Sequence, residues 1–308
     1  MNASFSPVST FIFEKRGIVM KTFNRYAHYL FTLPALLLYA VFFLYPMVNG
    51  FLYSLSDWDG LSKTSHFIGV DNYVRLVQDD RILSSLGFTF KYALGLIVLT
   101  VVLAVVIALL LNRVRRFQSF YRTTYFFPAV LSMITVGLIF NQLFSQALPA
   151  FGKAVGSDML SRNLLSNPDL AFFGLLFVSL WQGLAIPTLL FLAALQSVPK
   201  DLLEAASLDG ATPWQRFRSV VIPFLIPTLN IVVILSAKSG LTAFDYIMAM
   251  TGGGPGRTTE SVGLLVYNFA FQEFKFSYAS SLAIVLFVII AIVSIVQIRS
   301  MSRLEVNA

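Results

Sequence analysis

The stretch "GLIVLTVVLAVVIALLLNRVRR", residues 95–116, decides what kind of molecule this is. From Gly95 to Leu111 only Thr100 carries a polar side chain, and then Arg113, Arg115 and Arg116 follow almost at once. A helix needs about 20 mostly apolar residues to cross the hydrocarbon core of a bilayer. Basic residues at its end mark the side on which that end stays. The stretch therefore reads as a transmembrane helix that stops at a cytoplasmic turn.

The same pattern recurs along the chain. Six runs qualify, at 28–52, 85–111, 119–144, 170–196, 220–244 and 278–299. Of the 308 residues, 57% are hydrophobic and only 12% are charged, too few charges for a water-soluble domain of this size. The expected fold class is all-α, a polytopic membrane protein with six transmembrane helices. Its expected organisation is an N-terminal tail 1–27, a membrane domain 28–299 containing a polar loop 197–219, and a tail 300–308. Residues 1–19 hold only the short apolar patch Phe11 to Phe13, too little for a secretory signal, and Met20-Lys21 offers a second candidate start. Cysteine is absent, which excludes disulfides and thiol chemistry.

The net charge of +7 has the pattern of topology rather than of nucleic-acid binding. One side takes Lys15, Arg16, Lys21 and Arg25, the 112–118 turn with Arg122 beside it, Lys200, Arg216 and Arg218, and finally Arg299 and Arg303. The other side takes Lys63, Arg75, Arg81, Lys153, Arg162, Arg257 and Lys275, spread over longer loops. The positive-inside rule puts both termini and the 197–219 loop in the cytoplasm.

That loop has the grammar of two short helices and a turn. Pro199 suits a helix start, Gly210 a helix end at positive φ, and Thr212, Pro213 and Gln215 a capped second start. Ile222-Pro223 marks the beginning of helix five. Glu204 beside Ala205 and Ala206 combines a carboxylate with side chains small enough for another backbone to come close. An amphipathic segment lying at the membrane interface is the plainer alternative.

The spacing is specific. Glu204-Ala205-Ala206, three residues, Gly210, nine residues and Val220-Val221-Ile222-Pro223 resemble the coupling loop of permease subunits of binding-protein-dependent ABC importers, with valine at 220 where that family usually has isoleucine. Asp209 beside Gly210 belongs to the same likeness. The segment "AFDYIMAMTGGGPGRTTES", residues 243–261, is similar to the carbohydrate-uptake branch, which includes the maltose and glycerol-3-phosphate permeases. The resemblance implies the ABC-importer permease fold in the bacterial inner membrane, among lipid. It implies a second related permease, two ATPase subunits that carry ATP and Mg, and an extracytoplasmic solute-binding protein. It implies no cofactor on this chain and no nucleic-acid partner. Coupling would fall to Glu204, Ala205, Ala206, Asp209 and Gly210, and contact with the binding protein to Gly252, Gly253, Gly254, Pro255 and Gly256. As a phosphate loop the glycine-rich segment fails, since Pro255 interrupts it and no lysine follows.

Polar residues within the apolar runs mark a candidate pathway. They are Trp181, Gln182 and Gly183 before Pro187, and Asn230, Ser236, Lys238, Ser239 and Gly240 on helix five. The resemblance gives Gly183 and Ser236 positions that bind sugar in the maltose permease, while Gly240 and Ala243 replace its asparagines. Helix five is expected to be irregular, to face the cavity along Asn230, Ser236 and Lys238, and to unwind at Ser239-Gly240. Lys91 is expected to snorkel outward. Packing is the plainer reading of Trp181 and of the small residues. An ion-coupled secondary transporter would need Asp, Glu or His inside the spans, and a membrane enzyme a catalytic cluster; neither pattern is present. The expected function is an ATP-driven importer subunit forming half of a pathway for a sugar or polyol.

Overall fold

The structure is a computed structural model that describes residues 31–113, 118–158 and 160–301. The N-terminal tail, Arg115 and Arg116 of the first basic turn, and Arg303 lie outside the described residues. Among the described residues there is no β-strand; five helices are long and apolar enough to cross a membrane, and a bent pair supplies a sixth span. The chain falls into two compact units, one up to Tyr53 and one from Ser54 on.

In the first unit, α1 (Phe31–Ser54) turns large apolar side chains outward over its whole length, among them Leu36, Phe42 and Phe51. In the second, α2 (Asp71–Gln78) lies within the polar segment, and α3 (Asp80–Arg113) begins five residues before the apolar run does. Asp79 and Asp80 explain the early start, since carboxylates favour a helix N-terminus. On α3, Leu94, Val98, Val102, Val106 and Leu110 are exposed, whereas Leu96, Thr100, Ala104 and Ala108 are buried. Both sets recur every four residues, one row on each face of a helix. The outer row is large and apolar, the inner one mostly small, as expected of a span that faces lipid outward and helices inward. That inner row packs on α6 (Pro168–Gly183), α7 (Ala185–Ser197) and α9 (Pro213–Leu241).

Three expectations are corrected. The run 119–144 is not one helix. It forms α4 (Gln118–Phe126), a tight turn Phe127–Val130, an extended Leu131-Ser132, and then α5 (Met133–Ala154). Pro128 ends the first piece, the extended Leu131-Ser132 separates it from the second, and α5 runs on to Ala154. The second short helix of the 197–219 loop is not separate either, because it continues through residues 217–221 into α9. Nor does α9 unwind at Ser239-Gly240, since it stays helical to Leu241.

Several irregular turns share one cause. Tyr45, Leu148 and Ile222 each donate their N–H to the carbonyl five residues back rather than four, and each is followed by proline. A proline ring collides with the carbonyl four residues before it. The wider turn moves that carbonyl aside, so Pro46, Pro149 and Pro223 sit within continuous helices. Lys91 is exposed, and its ammonium lies 4.8 Å from the centre of the Phe172 ring, a cation–π contact.

Candidate functional site

Three places carry the residues singled out above. The first is α8 (Lys200–Leu208), which buries none of its residues. Its end is locked by a paired arrangement in which Ala211 N–H donates to the Ala206 carbonyl at 3.0 Å and Gly210 N–H to the Ser207 carbonyl at 3.1 Å. Gly210 has φ +77°, and no atom lies within 4 Å of where a Cβ would stand. Thr212 then caps α9. Its Oγ1 accepts from Gln215 N–H at 3.3 Å, while Gln215 Oε1 accepts from Thr212 N–H at 2.7 Å. Glu204, Ala205, Asp209 and Gly210 are exposed and Ala206 is half-buried. Leu208 and Trp214 expose 89% and 65% of their surface, so among the described residues the knob presents a carboxylate and two largely exposed apolar side chains. Gly210→Val is expected to cut uptake per inserted copy by roughly tenfold, because a β-branched residue strains the left-handed turn that sets the angle between α8 and α9, about 1–2 kcal/mol. Uptake normalised to the membrane-inserted subunit checks it.

The second place is a cavity of about 280 Å³ inside the second unit. It opens where two helices break. Pro168–Gly183 and Ala185–Ser197 meet at a 50° bend, and Leu131-Ser132 interrupt the neighbouring span. The Gln182 amide bridges these breaks. Its Nε2 donates to the Leu131 carbonyl at 2.6 Å, and its Oε1 accepts from the hydroxyl of Tyr246 on α10 (Asp245–Met250) at 2.6 Å. One turn earlier the Ser179 hydroxyl bonds that of Tyr92. The polar lining is Thr100, Ser179, Gln182, Ser236, Ser239 and Tyr246; none of the described lining residues is acidic or basic.

Of the residues picked from sequence, Gln182, Gly183, Ser236 and Ser239 line this cavity. The others do not. Trp181 packs edge-on against Phe140, at 5.3 Å between ring centres. Asn230 is buried, with its carbonyl 3.5 Å from Gln297 Nε2. Lys238 is exposed and outside the lining. Gly240 is a packing residue, for a Cβ there would stand 2.5 Å from Ala93 Cα. Gly183 is different, with open space where its Cβ would be. Sequence reading missed Tyr246, Tyr92, Ser179 and the Leu131 carbonyl. The tyrosine hydroxyls within apolar stretches were the available signal; the carbonyl had none, because it is freed only by the helix break.

The third place is the loop Thr251–Ser261. Gly252, Gly253 and Gly256 take positive φ, Gly254-Pro255 is a cis peptide, and the Thr259 hydroxyl donates to the Gly254 carbonyl at 2.6 Å. Its tip, Gly256 to Thr258, is exposed, whereas Thr259, Glu260 and Ser261 are buried. Beside it, Glu273 is pushed up by burial, but hydrogen bonds from Lys275 and Arg81 outweigh that and hold its carboxyl below the usual range.

A polar cavity among apolar spans, with a helix–turn–helix exposed among the described residues before α9 and a glycine-rich loop after α10, fits a solute permease. The chain belongs to the family of binding-protein-dependent transport system inner membrane components, whose family model matches residues 97–305. It is thus an ABC-importer permease subunit, a multi-pass inner-membrane protein and a transport component rather than an enzyme. It is 45% identical over 288 residues to the multiple sugar-binding transport system permease protein MsmF of Streptococcus mutans, covering 94% of this chain and 99% of that one. It is 31% identical over 280 residues to AmyD of Thermoanaerobacterium thermosulfurigenes, a probable starch degradation products transport system permease protein, covering 91% and 95%. The sn-glycerol-3-phosphate transport system permease protein UgpA of Yersinia pestis is 29% identical over 276 residues, covering 89% and 94%. In fold it matches a chain of a bacterial alginate ABC transporter solved with an alginate pentasaccharide-bound periplasmic protein, with a TM-score of 0.80 at 20% identity, covering 92% of this chain and 97% of that one.

Proposed function

We propose that this subunit forms half of the pathway through which an ATP-driven importer takes up a neutral sugar or polyol. The single observation that carries the reading is the lining of the cavity, made of hydroxyls and one amide without a fixed charge. Such groups donate to and accept from hydroxyls of a polyhydroxylated solute. Lys238 stands outside the lining, which favours a neutral solute over a sugar phosphate. A cavity without acids also gives an ion-coupled mechanism no proton carrier. In this reading both termini and α8 face the cytoplasm. Glu204, Ala205, Ala206, Asp209 and Gly210 dock on one of two ATPase subunits, which bind ATP and Mg. A second related permease completes the cavity, and the loop Gly252–Gly256 meets a solute-binding protein.

Uptake by the assembled importer, tested with labelled neutral oligosaccharides, polyols and sugar phosphates, examines the substrate class. Lys238→Gln is expected to change uptake less than about twofold. A loss near the 1.5–3 kcal/mol of a charge-assisted hydrogen bond, about tenfold or more, would instead mark an anionic substrate. Cysteine placed at Ser239 is expected to react with a water-soluble thiol reagent and to be protected by the transported sugar. Cysteine at Asn230 should stay unreactive, because that side chain is packed. Equal reactivity at both positions would contradict the assignment of the cavity.

A further inference from the structure

The exit of the loop Thr251–Ser261 is held by one arginine. Arg81, in the first turn of α3, has only 18% of its side chain exposed. Its Nε donates to Glu260 Oε2 at 2.8 Å and its Nη2 to Glu260 Oε1 at 2.7 Å, a two-point grip on a carboxylate that is 4% exposed. Its Nη1 donates to Glu273 Oε1 at 2.5 Å. Asn268, on α11 (Val262–Gln272), donates to Glu260 Oε1 at 2.8 Å, and the guanidinium lies 5.1 Å from the centre of the Phe269 ring. The next two residues are fixed as well. Ser261 Oγ donates to the Ala243 carbonyl at 2.6 Å, and Val262 N–H to Thr89 Oγ1 at 3.0 Å.

An arginine at the outer end of a span would ordinarily reach for water. Here it is turned inward onto a buried carboxylate. Buried ion pairs add little net stability over apolar packing, so what this one contributes is geometry. The guanidinium fork fixes the direction of its partner in a way a lysine ammonium does not. The fixed exit and the exposed tip are adjacent, with Thr258 tied to the Pro255 carbonyl at 2.7 Å.

We infer that Arg81 is a positioning residue for the solute-binding protein: by gripping Glu260 it holds the loop tip Gly256–Thr258 in its docking shape, and so sets the affinity for a protein it does not touch. A loop ordered in advance spares the partner the cost of ordering it on binding. This rests on the proposed reading of the loop as the docking element.

The test uses the complete importer in lipid nanodiscs with its own solute-binding protein. Because the chain has no cysteine, a single Arg257→Cys change takes a spin label at the tip. Arg81→Met and Glu260→Gln are expected to make the label mobile. They should also raise the binding-protein concentration for half-maximal ATP hydrolysis by roughly tenfold, with the maximal rate within about twofold. Arg81→Lys keeps the charge but loses the two-point grip; it should fall between, and it serves if Arg81→Met does not assemble. An immobile label in Arg81→Lys and Glu260→Gln overturns the inference and leaves the docking role of the loop standing. A mobile label with an unchanged half-maximal concentration overturns both. A lower maximal rate alone would reduce Arg81 to a purely structural role.

Discussion

Glu204→Lys is expected to abolish uptake while the subunit still inserts, still pairs with its partners and still allows them to hydrolyse ATP at their basal rate. The side chain is exposed on a helix with no buried residue, so the change costs this chain little of its own fold. The cost falls on the docking contact. In the proposed contact a carboxylate facing a cation would be replaced by a cation, and losing one partner of a desolvated charge pair costs about 2–5 kcal/mol, roughly 30-fold or more in coupling. Ala206→Asp should act alike through bulk and desolvation at the half-buried side of the same helix. The measurement is substrate-stimulated against basal ATP hydrolysis in the reconstituted importer. Stimulation that survives Glu204→Lys at normal assembly would remove α8 from the coupling contact.

The second large effect separates two glycines that look alike in the sequence. Gly183→Leu is expected to leave assembly and thermal stability near those of the parent. Its Cβ would meet nothing within 4 Å, and leucine is the better helix former by about 1 kcal/mol. Yet the side chain would project into a cavity of about 280 Å³ beside Gln182 and Ser236, and uptake should fall to background. Gly240→Leu should do the reverse first, destabilising the bundle because Ala93 lies where the new Cβ must go. Melting of the purified subunit and uptake, measured on both variants, distinguish a blocked pathway from a broken core. A destabilised Gly183→Leu that still transports would contradict the placement of the pathway.

Much of the architecture was legible because it rests on local rules. Apolar run length located the spans, and the caps at Gly210, Thr212 and Gln215 located the helix–turn–helix, since each needs only neighbours three to five residues away. The broken span between Phe127 and Ser132 was not legible. Apolar residues continue on both sides of it with Ser132 as the single polar interruption, and the geometry around Pro128 stops the helix. The candidate site was half legible. Gln182 announced itself as an amide in an apolar run, but its partners, Leu131 and Tyr246, stand 51 and 64 residues away. Arg81 counted in the sequence merely as a basic residue outside the spans, because its carboxylate lies 179 residues on. Lys238 drew attention as a charge within a run and proved to lie outside the cavity, in the last turn of its helix.

The wide turn before Pro223 has a consequence for how the two ends of α9 are keyed to each other. One extra residue in a turn rotates everything beyond it by about 100° relative to a regular helix. The end at Trp214, next to the loop proposed to dock, and the cavity face at Ser236 and Ser239 belong to that one helix, on either side of Phe217–Val221. Their angular phase is therefore written into a single proline. Without it the ladder is free to close to its regular pitch, and either the docking knob or the hydroxyls of the cavity would point a quarter-turn away from their partners. Pro223 is in this sense a keyway: it fixes the rotational setting of the residues before it against those after it, and on the proposed reading that is the setting at which a push on one end would arrive at the other.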